Sequence, residues 1–209
     1  MRANLRRLAV TLAAAAMLAA CHKGTGSASS DDMINAPEMT LGNPAAKVTV
    51  VEYASDTCAH CARFAMQVFP AFRAKYIDTG KVRYVFREFL TPPEQVSAAG
   101  FLLARCAGKD KYFSVVDAEF RGQQQMFESG DAKAVLLNIA KGAGLNEAQF
   151  NACITNEAAL KALGARVQRA IDVDHIDGTP TLMVNGKTLG MGEVTLAQLD
   201  AAIQPLLAK

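Results

Sequence analysis

The sequence predicts an α/β fold in which a βαβ unit and a ββα unit are separated by an all-helical insertion. Three observations lead to this prediction. Two apolar, β-branched runs at 48–53 and 81–86 flank an amphipathic helical run. Residues 91–173 are helical in pattern. An Asn-Gly pair then separates two short strand-like runs ahead of a final helix. The order of elements is therefore βαβ, helices, ββα.

Residues 1–20 are typical of a signal peptide. Three arginines within the first seven residues precede an apolar run, 8–20, that is too short to span a bilayer comfortably. The run ends in small residues directly before Cys21. It resembles the lipobox of bacterial lipoproteins, in which the signal is removed and the new N-terminal cysteine is lipidated. We therefore expect a lipid on Cys21 that attaches the protein to a membrane, and an ordinary cleavable signal is the alternative.

Export changes what the composition implies. The whole chain has 22 basic and 20 acidic residues, but loss of residues 1–20 removes three arginines and leaves a formal charge of −1. This charge indicates neither a nucleic-acid partner nor attraction to anionic lipid. An exported protein is also able to form disulfides. Residues 21–40, rich in Gly, Ser and Asp, are predicted to be a flexible tether for one domain of about 165 residues.

The first half of the fold is predicted over residues 41–92. Residues 48–53 are nearly all apolar, as expected for a strand buried on both faces, and Glu52 is the exception. The helix that follows has an apolar stripe at i, i+3, i+4 spacing, and Pro70 inside this stripe is expected to kink the helix. Residues 81–86 form the second strand, so the two strands should pair in parallel.

The helical insertion is predicted over residues 93–173, and the second half of the fold over 174–209. Thr91 and Glu94 have the spacing of a capping box at the start of the insertion, and Asn146 and Gln149 have the same spacing within it. After the insertion, the pattern predicts a strand, an Asn-Gly hairpin turn, a partner strand and a helix capped by Thr195.

Cys58-Ala59-His60-Cys61 lies between the first predicted strand and its helix. This position puts Cys58 at a helix N-terminus, where unpaired N–H groups and the helix dipole favour a thiolate. Two intervening residues keep Cys61 close enough to attack a mixed disulfide formed on Cys58. The pattern therefore indicates a redox dithiol. A zinc or copper site using Cys58, His60 and Cys61 is the alternative, although a structural zinc site usually needs a second ligand pair.

These motifs together resemble those of the DsbA-like branch of the thioredoxin superfamily. The resemblance rests on Leu41-Gly42-Asn43-Pro44, Val51-Glu52-Tyr53, Cys58-Ala59-His60-Cys61 and Gly178-Thr179-Pro180-Thr181, and it covers roughly residues 38–209. It implies a thioredoxin fold with the helical insertion, and a periplasmic thiol:disulfide oxidoreductase that needs no bound cofactor. The chain has Ala59 where the best-known members have proline, which bears on how oxidising the pair is.

Two side chains beside the dithiol are predicted to act on it. Glu52 lies six residues before Cys58, where the family keeps a buried acid, and its carboxyl could accept or deliver the proton that moves with Cys61. A surface glutamate on an edge strand is the alternative. His60, as a cation or hydrogen-bond donor, would stabilise the Cys58 thiolate and make the disulfide more oxidising. An exposed histidine without influence is the alternative for this residue.

Thr179-Pro180 resembles the cis-proline loop that faces the active cysteines throughout the superfamily. Proline offers no N–H, and the turned backbone could pair with an extended substrate near Cys58. The Thr179 hydroxyl could tune the cysteine, or Thr179 could have a packing role only.

The chain has five cysteines. A lipid on Cys21 and a redox pair at Cys58 and Cys61 leave Cys106 and Cys153, which are predicted to form a structural disulfide across two insertion helices. That bond would close a loop of about 48 residues, worth roughly 4 kcal/mol in the chain-entropy model. The alternative is that both cysteines are free buried thiols. A second redox centre is not supported, because neither cysteine belongs to a CxxC motif.

The sequence therefore predicts an exported dithiol oxidase that introduces disulfides into exported proteins with free cysteines. The resemblance implies reoxidation by a membrane redox partner of the DsbB type. We expect the protein in the bacterial cell envelope, lipid-anchored and facing the periplasm, and His22 after the lipidated cysteine favours the outer membrane.

Three other functions remain open at this point. A reductase or isomerase would use the same site in a different direction. A periplasmic copper- or zinc-binding protein would use Cys58, His60 and Cys61 as ligands. A lipoprotein that mainly binds partners would have inert or inaccessible thiols.

Overall fold

The computed structural model describes residues 38–208, which carry a five-stranded sheet covered by helices. The strands are β1 (Met39–Gly42), β2 (Val48–Ala54), β3 (Val82–Glu88), β4 (Thr181–Val184) and β5 (Lys187–Met191). They lie in the order β1-β3-β2-β4-β5, so β2 is the central strand. β2 and β3 pair in parallel, as predicted, and the other neighbours pair antiparallel. The predicted α/β thioredoxin fold with a helical insertion is confirmed.

The sequence prediction did not include β1. It placed a tether over residues 21–40, but Met39 and Thr40 belong to β1 and pair with Phe86 and Val85 of β3. Met39 is buried in the core, so the predicted boundary at residue 40 is too late. The signal peptide, the lipid site at Cys21 and the rest of the predicted tether lie outside the described residues.

The helix after β2 alternates between α and π turns. It consists of α1 (Ala59–Arg63), a π-helical segment (Phe64–Val68), α2 (Phe69–Phe72) and a second π-helical segment (Arg73–Ile77). Pro70 lies in the first turn of α2, where a missing N–H is tolerated. The irregularity expected at Pro70 therefore takes the form of π-helical turns on both sides of it.

The predicted helical insertion is confirmed by five helices that follow one another along the chain. They are α3 (Glu94–Cys106), α4 (Tyr112–Ser129), α5 (Ala132–Gly142), α6 (Glu147–Ile154) and α7 (Glu157–Asp172). Asn146 and Gln149 form the predicted capping box at the start of α6. The predicted capping box at Thr91 is wrong, because α3 begins after Pro93 and has no side-chain cap.

The predicted pair Cys106 and Cys153 is joined by a disulfide in the structure. The bond connects the end of α3 to α6, with the two Cα atoms 6.0 Å apart. Cys153 is buried, whereas Cys106 is exposed. The bond thus links two helices of the insertion that are separated by 47 positions in the sequence.

The end of the chain folds as predicted. Asn185 and Gly186 join β4 to β5 with φ of 45° and 77°, and positive φ at both central positions is typical of a type I′ hairpin turn. The last helix, α8 (Leu196–Leu207), begins with a capping box between Thr195 and Gln198. The Thr179-Pro180 peptide bond is cis and leads directly into β4, which pairs with the central strand.

Candidate active site

Cys58 lies at the junction of the central strand and α1, as the N-cap residue of that helix. Its backbone is extended, and its sulfur accepts a hydrogen bond from the Cys61 N–H at 3.4 Å. Its Sγ lies 3.3 Å from the carbonyl oxygen of Thr179, to which the thiol donates when Cys58 is protonated. Cys58 is half-buried, and both cysteines are free thiols, so this is the reduced form of the pair.

The surroundings of Cys58 stabilise its thiolate. A hydrogen bond from the Cys61 thiol, with further help from the backbone N–H groups of Cys61 and His60, lowers the pKa of Cys58 to about 5 against the opposing effect of partial burial. Donors at a helix N-terminus are suited to hold a negative sulfur. At neutral pH Cys58 is therefore a thiolate, the form of cysteine that attacks disulfides.

Cys61 has the opposite environment, one helical turn behind Cys58. It is fully buried, and burial raises the pKa of its thiol well above the usual range, with the charges of Cys58 and Glu52 adding to the effect. Cys61 is therefore a protonated thiol when the pair is reduced. It needs a base to become a nucleophile, and an acid when it leaves as a thiolate.

Glu52 is placed to supply that acid or base. It lies on β2 between Phe86 of β3 and Leu182 of β4, and it is 2% exposed, so the alternative of an edge-strand surface residue is wrong. Burial raises the pKa of Glu52 to about 8, opposed by a hydrogen bond from the Tyr84 hydroxyl at 2.5 Å and reinforced by the Cys58 charge. Glu52 therefore changes protonation state near neutral pH, next to the dithiol.

The cis-proline loop lies against the dithiol, as expected. The carbonyl of Thr179 receives the Cys58 thiol hydrogen bond, and the Thr179 hydroxyl is buried. Met191 of β5 lies over Gly178 at the start of the loop, because a Cβ added to that glycine would come within 2.6 Å of the Met191 sulfur. β5 thus packs, through Met191, against the start of the loop whose backbone lies beside Cys58.

The ring of His60 faces Arg63 and Glu193. Its Nδ1 lies 2.6 Å from Arg63 Nη2 and 3.6 Å from Glu193 Oε1, and Arg63 also pairs with Glu193 at 2.9 Å. Arg63 donates a hydrogen bond to Nδ1 of the ring. The group of His60 that lowers the pKa of Cys58 is its backbone N–H. Sequence reasoning did not find Arg63 or Glu193, because Glu193 comes from the distant segment between β5 and α8.

A cluster of hydroxyl groups supports the loop that carries Cys58, and sequence reasoning missed it. Ser55 bonds to Ser97 at 2.9 Å, and Thr57 bonds to the hydroxyl of Thr91 at 2.8 Å. Thr91 also donates to Ser55 at 2.8 Å. The cluster ties the loop before α1 to the start of α3. Thr91, predicted to cap α3, serves this cluster instead.

A pair of buried acids, Asp56 and Glu119, lies at this loop. A Cβ added to Gly100 of α3 would lie 1.9 Å from Asp56 Oδ2 and 3.3 Å from Glu119 Cδ, so both carboxyls occupy the space that the glycine leaves open. Burial raises the pKa of Asp56 to about 8 and that of Glu119 well above its usual range. Burial therefore favours the protonated, neutral form of both carboxyls. Sequence reasoning missed them because the two residues are 63 positions apart.

Between residues 38 and 208, no three His, Cys, Asp or Glu side chains are grouped so that they could hold a metal ion. Over the same residues, no helix has the length and apolar character required to cross a bilayer.

A family model described as thioredoxin matches residues 35–205. The chain belongs to the thioredoxin family. Within the superfamily it is DsbA-like, as the sequence predicted. The crystal structure of Wolbachia pipientis alpha-DsbA1 superposes with a TM-score of 0.75 at 28% sequence identity, covering 83% of this chain and 92% of that one.

Other relatives carry names that refer to disulfide chemistry. A Rickettsia conorii protein whose name proposes a protein-disulfide oxidoreductase is 34% identical over 154 residues, which are 73% of this chain. This thioredoxin-family chain spans 55% of that relative's length. A protein-disulfide isomerase structure from Novosphingobium aromaticivorans, at 24% identity, has the same fold with a TM-score of 0.70 and covers 82% of this chain and 98% of its own.

Proposed function

We propose that this protein is an exported thiol:disulfide oxidoreductase that introduces disulfides into other exported proteins. The observation that carries the proposal is the contrast between Cys58 and Cys61. A half-buried thiolate lies at a helix N-terminus, and a fully buried, protonated thiol lies one turn behind it. Only the first sulfur is open to a substrate, and the second can close the intramolecular disulfide.

The proposed reaction starts from the Cys58–Cys61 disulfide. A substrate thiolate attacks the Cys58 sulfur, the bond to Cys61 breaks, and Cys61 leaves as a thiolate that takes a proton from the Glu52 carboxyl. A second substrate thiolate then attacks the mixed disulfide, and Cys58 leaves as a stable thiolate. The substrate loses two electrons and the dithiol gains them, so a membrane partner of the DsbB type is proposed to reoxidise the protein.

The direction of the reaction follows from the stability of the reduced form. Stabilising the Cys58 thiolate favours the reduced dithiol, and a stabilised reduced form makes the disulfide a stronger oxidant. The lowered pKa of Cys58 therefore supports an oxidase. It supports a reductase less well, because a reductase gives up electrons easily and needs a less stable reduced form.

The test is the reduction potential of the Cys58–Cys61 pair in glutathione buffers. It is measured on the soluble domain and on a Cys106→Ala/Cys153→Ala variant that contains only this pair. A value well above the roughly −270 mV of thioredoxin, toward the roughly −120 mV of DsbA, supports the oxidase. A value near that of thioredoxin would identify a reductase or isomerase. Tight copper or zinc binding without disulfide exchange would support the metal-binding alternative.

We also propose that the protein is anchored to a membrane of the bacterial cell envelope by a lipid on Cys21, facing the periplasm. The support is the small-residue run before Cys21 in the sequence. Cell fractionation tests this: the full chain should be in the membrane fraction, and a Cys21→Ala variant should not. His22 favours the outer membrane, and separation of the two membranes on a density gradient would decide between them.

A further inference from the structure

A cavity of about 690 Å³ lies between the sheet and the helical insertion, outside the dithiol site. β1 and β3 form one side of it, the helical segment around Ala65 and Phe69 forms a second, and the start of α4 forms the third. The cavity thus follows the seam between the thioredoxin part of the fold and its insertion. Neither cysteine of the dithiol lines it, and neither does the cis-proline loop.

The cavity reaches from solvent to the buried acid. Its outer part is lined by Arg73, Asp117 and Arg121, whose side chains are about half exposed. Its lining also includes the buried residues Tyr84 and Glu52, each 2% exposed. The cavity therefore connects half-exposed charged side chains with the buried residue Glu52, whose carboxyl titrates near neutral pH.

On the other side of Glu52, the dithiol lies between its carboxyl and bulk water. Cys61 is fully buried, and the Cys58 thiol points at the carbonyl of Thr179. A substrate joined to Cys58 would lie over this side of the site. Glu52 would then be cut off from bulk water if the dithiol face were its sole access.

We propose that the cavity between the sheet and α4 is the route by which Glu52 exchanges its proton with bulk water while a substrate occupies Cys58. This inference rests on the proposed function, since it assigns a proton path to the disulfide exchange described above. The wall of the cavity begins close to the dithiol, because Ala65 follows Cys61 by one helical turn.

The proton balance of the first step shows what the cavity has to deliver. A substrate thiolate, the Cys58–Cys61 disulfide and the Glu52 carboxylic acid give a mixed disulfide, a Cys61 thiol and a Glu52 carboxylate. Glu52 then recovers one proton from water in the cavity. In the reverse direction, Cys61 gives its proton to the Glu52 carboxylate, and the same proton leaves through the cavity.

Tyr84 orients Glu52 in this scheme. Its hydroxyl donates to Glu52 Oε2 at 2.5 Å, and burial raises the pKa of Tyr84 well above its usual range. Tyr84 therefore stays protonated throughout the reaction. It holds one oxygen of Glu52, which leaves the other oxygen to exchange the proton.

The test follows deuterium entering the Glu52 carboxyl after the protein is mixed with heavy water. The infrared band of the protonated carboxyl is assigned as the one that is lost in a Glu52→Gln variant, which separates it from the other buried acids. Ala65→Leu and Ser114→Phe each place bulk in the cavity from a different wall. Ala148→Leu, at an exposed position on α6 outside the cavity, is the matched control.

The decisive comparison uses a Cys61→Ser variant that holds a cysteine-containing peptide on Cys58 as a stable mixed disulfide. We expect the peptide to leave the deuteration rate of Glu52 unchanged, and the cavity-filling variants to lower that rate about tenfold. Deuteration that slows with the peptide but not with Ala65→Leu or Ser114→Phe would overturn the proposal. Thermal unfolding of each variant shows which of them are folded and can be compared.

A second measurement connects the cavity with the reaction. In a single turnover of the oxidised protein with a reduced peptide, Ala65→Leu should slow the reprotonation of the Glu52 carboxylate that follows release of the Cys61 thiol by about tenfold, and Ala148→Leu should not. An unchanged rate in a folded Ala65→Leu protein would contradict the proposed route. If the wild-type protein exchanged no disulfide at all, the proposed function would fail, and the deuteration experiment would still decide how Glu52 reaches water.

Discussion

The two cysteine pairs of this protein contain the same chemical groups and have opposite characters. Cys58 and Cys61 are three positions apart, at the start of a helix, and are free thiols. Cys106 and Cys153 are 47 positions apart and join the ends of two helices in the insertion. The Cys61 thiol and helix N–H groups stabilise the Cys58 thiolate, and the buried Glu52 carboxyl lies near the pair.

The difference shows that reactivity comes from the surroundings of a sulfur. A cysteine becomes a nucleophile where donors stabilise its thiolate and where a substrate can reach it. A disulfide stabilises a fold where it closes a long loop between elements that are already packed. The insertion provides the second situation, and the junction of β2 and α1 provides the first. Variants of each pair should therefore change different properties.

The largest effect is expected from Cys58→Ser, which should abolish disulfide exchange. Serine has no thiolate and forms no mixed disulfide, so oxidation of a reduced cysteine peptide should fall to the uncatalysed rate. The control is the Cys106→Ala/Cys153→Ala variant, which should keep the wild-type rate. Exchange that is lost in the control but kept in Cys58→Ser would reverse the roles of the two pairs.

Removing the second pair should affect stability instead. Without the bond that closes a loop of about 48 residues, the free energy of unfolding of Cys106→Ala/Cys153→Ala should fall by about 4 kcal/mol, because the unfolded chain gains freedom. Urea unfolding at equilibrium measures this change. A loss of less than about 1 kcal/mol would show that the bond contributes little beyond the packing of α3 and α6.

A different effect, limited to one pair, should appear in the pH dependence of stability. Only the reduced protein has a titrating Cys58, whose pKa is lowered from 9.0 to about 5 in the folded state. The folded state then binds fewer protons than the unfolded state between these values, so the reduced form should gain stability relative to the oxidised form as pH rises from about 5 to about 9. That gain is lost as pH falls through about 5.

Urea unfolding of the reduced and oxidised forms over this pH range gives the difference directly. Glu52 is present in both forms, so the part of its pKa shift that burial causes cancels in the comparison. Parallel stability curves for the two forms would mean that Cys58 has an ordinary pKa in the folded protein.

The smallest effect is expected from His60→Ala. The ring of His60 is hydrogen-bonded to Arg63, and the backbone N–H near the Cys58 sulfur remains in the variant. The pKa of Cys58 should therefore rise by less than about one unit, as followed by the ultraviolet absorbance of the thiolate. A larger rise would establish the direct role of the ring that the sequence predicted.

Much of the fold could be predicted because its elements depend on local patterns. The strand at 48–53 is a short apolar run, the Asn185-Gly186 turn needs positive φ, and the box at Asn146 uses residues three positions apart. β1 was missed because its four residues carry no distinct pattern, and pairing with β3 makes them a strand. Thr91 had the spacing of a helix cap, but its hydroxyl forms hydrogen bonds with Ser55 and Thr57 instead.

The features of the candidate site likewise fall into those set by local sequence and those set by tertiary contacts. The sequence by itself determined which cysteines form the redox pair, since their spacing and their place before a helix are local features. Only the tertiary structure decided that Glu52 is buried under Tyr84, that the His60 ring meets Arg63 and Glu193, and that a cavity leads to the carboxyl. Those features join residues from separate elements, and burial and charge act through space rather than along the chain.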